Sequence, residues 1–262
     1  MSGDTNGETD VFVRDRVTGT TQRVNIASDG TQANGNDNSV AIRTDISTDG
    51  RYVVFNSPAS NLVPNDTNGK SDIFIHDRIN GSTARVNLTN GGAQSIGHDD
   101  GVALSSDGRY VVFVSFDNNL VANDTNGQTD IFVRDLIMGS TELVSVADDG
   151  SQANSTSVYP SISANGRYVS FNSSANNLVT GGTPQGLAIF VRDRIANTTE
   201  MIDTPHDGSV ANYFSFGDSA VSGDGRYVVF ASGASNLVAG DSDVNNQFDI
   251  FMHDRISGQI CQ

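Results

Sequence analysis

Short runs of apolar and β-branched residues, separated by polar turns, recur along the whole chain. One run, Arg109-Tyr-Val-Val-Phe-Val-Ser115, predicts a buried strand because it is rich in β-forming residues and almost free of polar ones. Asp107-Gly108 before it predicts a hairpin, since Asp-Gly tolerates the positive φ values of a two-residue turn. Apolar positions do not follow a 3.6-residue spacing anywhere, so the chain is predicted to be all β.

The pattern repeats about every 60 residues. An acidic loop, Asp-Thr-Asn-Gly-x-x-Asp, leads into an apolar strand at Asp4, Asp66 and Asp124. The last position of this loop recurs after 62, 58, 58 and 61 residues, as Asp10, Asp72, Asp130, Ala188 and Asp249. Each unit contains four predicted antiparallel strands, which is typical of a β-propeller blade.

We therefore predict one β-propeller domain over residues 1–262, with four to five blades of four antiparallel strands. The repeats are expected at residues 1–38 (partial), 39–100, 101–158, 159–217 and 218–262 (partial). Five acidic loops stand against four Asp/Asn-Gly-Arg-Tyr hairpins, and the fourth strand of the last unit is expected to have barely begun after Ser257. A small closed ring, part of a longer propeller, or a homodimer through the incomplete terminal blades would each fit.

The hairpin Ser-x-Asp-Gly-Arg-Tyr-Val-Val-Phe-x-Ser, followed by Asp-Ile-Phe-Val-Arg-Asp, recurs with small changes along nearly the whole chain. It resembles the WD40-like (PD40) repeats of TolB-type bacterial β-propellers. The resemblance implies an exported bacterial protein. It also implies a role as a protein-binding platform, a sugar binder or the scaffold of a lyase or hydrolase, without selecting among them.

Charge limits the partners. The chain has 15 basic and 31 acidic residues, a net charge of −16, and no basic cluster. Such a surface disfavours nucleic acid and anionic membranes, because their phosphates require clustered Lys and Arg. No apolar run reaches the length of a membrane span, Cys261 is the only cysteine, and the first residues do not form a signal peptide.

The acidic loops predict structural calcium, because they alternate oxygen ligands around a glycine and calcium takes six to eight hard oxygens. The candidate ligands are Asp4, Asn6, Asp10, Asp66, Asn68, Asp72, Asp124, Asn126, Asp130, Asp241, Asp243, Asn245 and Asp249. The fourth loop, with Thr180, Gly182 and Ala188, has lost these ligands. The alternative is that the side chains only shape the loop through Asx-turns.

The four histidines are weaker candidates. His98 and His206 lie between repeats beside aspartates, so either could act as a general base. His76 and His253 occupy a position that is Arg in sibling repeats, and we expect that position on the surface of a strand.

Residues that break the repeat are better candidates for a ligand site, because a propeller has one central opening and many equivalent blades. The segment 204–217 carries Tyr213, Phe214 and Phe216, and Tyr159 stands in the preceding repeat. Exposed aromatics there would suit sugar stacking or a protein contact, and the alternative is core packing.

We expect a secreted, cell-surface or periplasmic binding module that recognises a carbohydrate or a protein and carries structural calcium. Regular blades and the lack of Walker, dinucleotide, zinc or nucleophile-elbow motifs favour binding over catalysis. The alternative is a hydrolase or lyase that acts on a polysaccharide or ester at the central opening. A third alternative is an open fragment without activity of its own.

Overall fold

The computed structural model describes residues 4–35, 43–181, 186–238 and 247–262. Eighteen strands form five antiparallel sheets in these ranges. The described ranges contain no helix that is long and apolar enough to cross a membrane.

The first sheet, here called the half-blade, has two strands, β1 (Phe12–Arg14) and β2 (Thr21–Arg23). Blade 1 contains β3 (Thr44–Ile46), β4 (Tyr52–Ser57), β5 (Asp72–Asp77) and β6 (Ser82–Arg85). Blade 2 contains β7 (Asp99–Leu104), β8 (Tyr110–Ser115), β9 (Asp130–Asp135) and β10 (Ser140–Leu143). Blade 3 contains β11 (Ser157–Ile162), β12 (Tyr168–Ser173), β13 (Ala188–Asp193) and β14 (Thr198–Met201). Blade 4 contains β15 (Ala220–Val221), β16 (Tyr227–Ser232), β17 (Asp249–Asp254) and β18 (Gln259–Cys261).

Each strand pairs with its neighbour in sequence, so every blade is an antiparallel meander. This confirms the predicted all-β propeller of four-stranded blades. Residues in or beside β3, β7, β11 and β15, the first strand of each blade, line one shared cavity. These four strands are therefore the innermost ones, and the blades radiate from them.

The last blade is complete, which corrects one prediction. The fourth strand was expected to have barely begun, but β18 pairs with β17, with Asp254 opposite Gln259 and Met252 opposite Cys261. The turn at Gly258 reverses the chain early enough for three residues to pair. The expected repeat boundaries at residues 100 and 158 lie inside β7 and β11.

The hydrophobic core lies between blades. In blade 2, Phe113 and Phe132 stack with ring centroids 5.9 Å apart and share one buried cluster with Ile73 and Ile75 of blade 1. The aromatic face of one blade thus covers the aliphatic face of the preceding blade. The same arrangement joins three further pairs of sheets. Phe55 and Phe74 of blade 1 pack with Val11 next to the half-blade. Phe171 and Phe190 of blade 3 pack with Ile131 and Val133 of blade 2, and Phe230 and Phe251 of blade 4 pack with Ile189 and Val191 of blade 3.

The two ends of the series leave such faces exposed. Phe12 of the half-blade is 41% exposed, whereas Phe132 at the same repeat position is fully buried. On blade 4 the aliphatic face is exposed at Val229, Ile250 and Met252. A homodimer through the terminal blades stays a prediction, and these are the faces that it would use.

A second contact repeats at every junction between complete blades. The ring of Tyr110 lies so close to the hairpin Gly166 of blade 3 that a Cβ there would be 2.2 Å from its Cδ2 atom. Arg109 lies over the Tyr110 ring, 4.7 Å from its centroid, and pairs with Asp135 at 2.7 Å. The hairpin sequence Gly-Arg-Tyr therefore joins the strands of one blade and contacts the next blade. Tyr52 with Gly108 and Tyr168 with Gly225 repeat this contact.

Phe132→Ala and Phe12→Ala test the packing between blades at one repeat position. We expect Phe132→Ala to lower the free energy of unfolding by about 3–5 kcal/mol, because it leaves a cavity in the core. Phe12→Ala should cost about 1 kcal/mol or less, since it loses little more than the contact with Arg23. Urea unfolding followed by circular dichroism measures both, and equal losses would contradict the arrangement.

Gly166→Ala and Gly50→Ala test the contact between tyrosine and glycine. Both glycines have φ near 70°, so alanine is strained at either position. Only Gly166 faces a tyrosine, whereas the nearest atom to a Cβ at Gly50 is Nη1 of Arg78, at 3.5 Å. We expect Gly166→Ala to destabilise the protein by about 1–3 kcal/mol more than Gly50→Ala, measured by the same unfolding experiment. No difference would show that the ring does not constrain the hairpin.

Candidate functional site

In the second acidic loop the two aspartates face a guanidinium. Nη2 of Arg85, at the end of β6, lies 2.9 Å from Oδ2 of Asp66 and 3.5 Å from Oδ2 of Asp72. The Asn68 amide donates to Asp72 at 3.0 Å and accepts from the Lys70 N–H. The predicted calcium ligands of this loop therefore already have a buried cationic partner.

The first loop repeats this arrangement. Arg23, at the end of β2, lies 3.2 Å from Asp4 and 3.0 Å from Asp10. Asn6 donates its amide to the Ala33 carbonyl. Within the described residues, no group of three or more His, Cys, Asp or Glu is placed to hold a metal ion.

The third loop differs, because Leu143 stands where Arg85 stands in the second. Asp130 accepts hydrogen bonds from Ser145 Oγ at 2.6 Å and from the Asn126 amide at 2.7 Å. Asp124 is buried, and its Oδ1 has no hydrogen-bond partner in the ranges that the structure describes. Burial, together with the nearby Asp130 carboxylate, raises the pKa of Asp124 to about 6.

The remaining two loops add little. In the fourth loop Ala188 replaces the last aspartate, and Met201 replaces the arginine that faces it in the first two loops. The acid and its cationic partner are therefore lost together. In the fifth loop Asp241, Asp243 and Asn245 lie outside the described residues. Asp249 begins β17 and is half-buried.

One further acidic side chain lies deep between blades 1 and 2. Asp99 is fully buried at the start of β7, where the Asn87 amide donates to it and also to Asp72, both at 2.5 Å. Burial raises the pKa of Asp99 to about 7. The equivalent positions of the next two repeats hold Ser157 and Ser215, so this acid is specific to one junction.

The four histidines lie on separate elements of the fold. His98 is exposed before β7, and His206 is exposed in a separate cavity beside Cys261. The surface position expected for His76 was wrong. His76 is fully buried because the half-blade covers this part of β5, where Thr83 donates to the Ile26 carbonyl. Its Nδ1 lies 2.9 Å from Thr83 Oγ1. Burial lowers the pKa of His76. His253 is half-buried, with Nδ1 2.6 Å from the Ile202 carbonyl oxygen.

The innermost strands meet at a cavity of about 240 Å³, lined by all four complete blades. Blades 1 to 4 contribute Arg43, Asp100, Tyr159 and Asp218, respectively. Arg43 Nη1 lies 3.3 Å from Asp218 Oδ2, so this ion pair links the first complete blade to the last. Asp100 accepts a hydrogen bond of 3.3 Å from the Asn56 amide. The cavity therefore offers a guanidinium, two carboxylates and an aromatic ring within one opening.

Tyr159 occupies a strained position in this cavity. Its φ is 55°, in the left-handed region, and the equivalent residue Gly101 has a φ of 45°. Both lie where the innermost strand is bulged against its neighbour. A left-handed tyrosine costs about 1–2 kcal/mol, so the blade retains an aromatic ring where glycine would be easier. Phe216 packs edge-on against this ring at 5.9 Å, and Arg43 lies 6.0 Å from its centroid.

The four predicted aromatics thus form two groups. Tyr159 lines the cavity and Phe216 packs against its ring, whereas Tyr213 and Phe214 stack at 4.5 Å and contact Phe248. Tyr213, Phe216 and Phe248 are each about half exposed.

Sequence reasoning missed Arg43, Asp100, Asp218 and Phe248. One position of the innermost strand holds Arg43, Gly101 and Tyr159 at intervals of 58 residues. An alignment of these strands would have shown that the residue at this position varies.

No protein-family model matches the sequence, and no curated protein matches it. Solved structures do match the fold. TolB from Acinetobacter baumannii has a TM-score of 0.51 and 14% identity, over 96% of this chain and 47% of that one. A protein assigned as TolB from Agrobacterium tumefaciens has a TM-score of 0.52 and 18% identity, over 93% of this chain and 69% of that one. An acylaminoacyl peptidase from Pyrococcus horikoshii has a TM-score of 0.51 and 13% identity, over 97% of this chain and 34% of that one.

These similarities confirm the predicted resemblance for the fold: the chain is a TolB-like β-propeller. It spans about half the length of the Acinetobacter protein.

Asp99→Asn tests the pH dependence that the buried acid confers. Because the folded pKa of Asp99, about 7, lies above its unfolded value near 3.8, its contribution to stability is complete below pH 4 and is lost as the pH rises through 7. Asparagine stays neutral, so we expect the variant to be about 1–3 kcal/mol more stable than the wild type at pH 8 and equal to it near pH 4. Urea unfolding at pH 4, 6 and 8 measures this, and a gap that does not change with pH would refute it.

Proposed function

We propose that this chain is a binding module for a carbohydrate and that its site is the central cavity. One observation carries the proposal. Arg43, Asp100, Tyr159 and Asp218 come from four blades, break the repeat, and line the same opening. In a repeat protein, residues kept for packing recur from blade to blade, whereas residues kept for a ligand at the common centre differ.

The chemistry of the cavity fits a polyhydroxylated ligand. Arg43 and Asp218 are 42% and 70% exposed in their side chains, so the guanidinium and the carboxylate are accessible donors and acceptors for hydroxyl groups. Tyr159 offers an aromatic surface for the C–H groups of a sugar ring, and Phe216 supports that ring from its edge. Ligand sites combine such apolar surface with a few convergent polar groups.

A hydrolase or lyase at the same opening is the second candidate. The observation that favours it is that Asp100 and Asp218, from blades 2 and 4, line one cavity, and a pair of carboxylates is what glycoside hydrolysis requires. Asp100 accepts a hydrogen bond from Asn56, and Asp218 accepts one from Arg43. Carboxylates held in this way suit ligand binding as well as they suit catalysis.

An exported or cell-envelope location belongs to the same proposal, whereas a protein ligand bound outside the cavity is an alternative to it. Support for the location is the TolB-like fold. Support for a protein ligand is the group of Tyr213, Phe214 and Phe248, here called the outer aromatic group, in which Tyr213 and Phe248 are about half exposed. Exposed aromatic clusters are enriched at protein interfaces.

Tyr159→Gly tests the site directly, because glycine removes the ring and also relieves the backbone strain. A glycan array and a hydrolase panel first identify a ligand, and calorimetry then measures its Kd. We expect Tyr159→Gly to weaken binding at least 10-fold, which is about 1.4 kcal/mol, with no loss of thermal stability. Ile137→Ala, at an exposed turn of blade 2, is the control and should bind like the wild type.

Other outcomes select among the alternatives. Turnover that is lost in Asp100→Asn or Asp218→Asn would replace the binding module by the enzyme. Binding that survives Tyr159→Gly and is lost in Tyr213→Ala would move the site to the outer aromatic group and contradict the proposal.

A further inference from the structure

The acidic loops differ in how their charge is compensated. In the first and second loops, two aspartates share one arginine, which is contributed by the last strand of the same sheet. In the fourth loop, Ala188 and Met201 replace an aspartate and the arginine, so neither charge remains. Acids and arginine are therefore kept together or lost together in these three loops.

The third loop breaks this rule. It keeps both acids, Asp124 and Asp130, but Leu143 takes the place of the arginine. Asp130 is 1% exposed, and among the described residues its donors are neutral, the Ser145 hydroxyl and the Asn126 amide. Within the described ranges, neither carboxylate forms an ion pair with a basic side chain.

Asp124 adds a second observation. It is 8% exposed, and its Oδ1 is buried with no hydrogen-bond partner among the described residues. In the second loop the equivalent Asp66 turns its carboxylate onto Arg85 at 2.9 Å. A buried carboxylate oxygen without a partner is costly, and a second buried carboxylate nearby adds repulsion, unless a cation lies between the two.

We infer that the third acidic loop binds one divalent metal ion between Asp124 and Asp130, at the place that a guanidinium occupies in the first two loops. The donors are hard carboxylate oxygens, which favour calcium over softer metals. Backbone carbonyls of the loop and water would complete its six to eight ligands. The ion would stabilise the loop that leads into β9. The inference does not depend on the proposed function.

The wild-type chain, freed of metal with a chelator, is titrated with calcium chloride by calorimetry in 0.15 M NaCl, and its melting temperature is measured with and without calcium. We expect at least one binding step and a higher melting temperature with calcium. Asp124→Asn should lose one equivalent of calcium per chain. Asp66→Asn, the matched change in the second loop, should lose none.

Two exchanges between loops make the test sharper. Leu143→Arg supplies the missing guanidinium, so it should abolish the same equivalent and raise the melting temperature in the absence of calcium. Arg85→Leu removes the guanidinium of the second loop, and it should add one equivalent of calcium.

The results that would overturn the inference are distinct. A wild-type chain that shows no calcium step refutes it, and so does a number of bound calcium equivalents that is unchanged in both Asp124→Asn and Leu143→Arg. An Arg85→Leu variant that gains no calcium counts against the charge argument. Tyr159→Gly should keep the calcium step and Asp124→Asn should keep ligand binding, so failure of one proposal does not imply failure of the other.

Discussion

The packing of an aromatic face on the aliphatic face of the preceding blade is the interaction on which the structure depends. A single four-stranded sheet exposes both faces, and neither is buried until a neighbour covers it. Phe113 and Phe132 are fully buried only because blade 2 lies on Ile73 and Ile75 of blade 1. Stability in such an array therefore resides in the interfaces between neighbours. The tyrosine that lies against the next hairpin glycine limits how two blades can be placed.

Because the packing is the same at each junction, the residues that differ can serve other purposes. Such differences between blades occur on the innermost strand. One position of that strand is Arg43 in blade 1, Gly101 in blade 2 and Tyr159 in blade 3. The tyrosine keeps a left-handed backbone that glycine adopts more easily, which argues that its ring has a use beyond the fold.

The acidic loops show how little a local motif says about its own chemistry. Asp66 and Asp124 begin nearly identical sequences, yet one faces Arg85 and the other, within the described part of the chain, faces no basic side chain and has a second acid, Asp130, nearby. The difference lies 19 residues further along the chain, at Arg85 or Leu143, on the last strand of the blade. Loop sequence predicts oxygen ligands, and the facing strand decides whether they meet an arginine.

The sequence by itself determined the strands, the hairpin turns and the repeat, because these depend on alternation, Asp-Gly turns and spacing within about 60 residues. Tertiary structure alone decided that His76 is buried, that Arg23 and Arg85 face the acidic loops, and that Arg43 meets Asp218, 175 residues away. Each of these outcomes depends on which strands lie side by side around the central opening. A side chain's burial and charge partners are set by neighbours in space, and spacing along the chain does not reveal them.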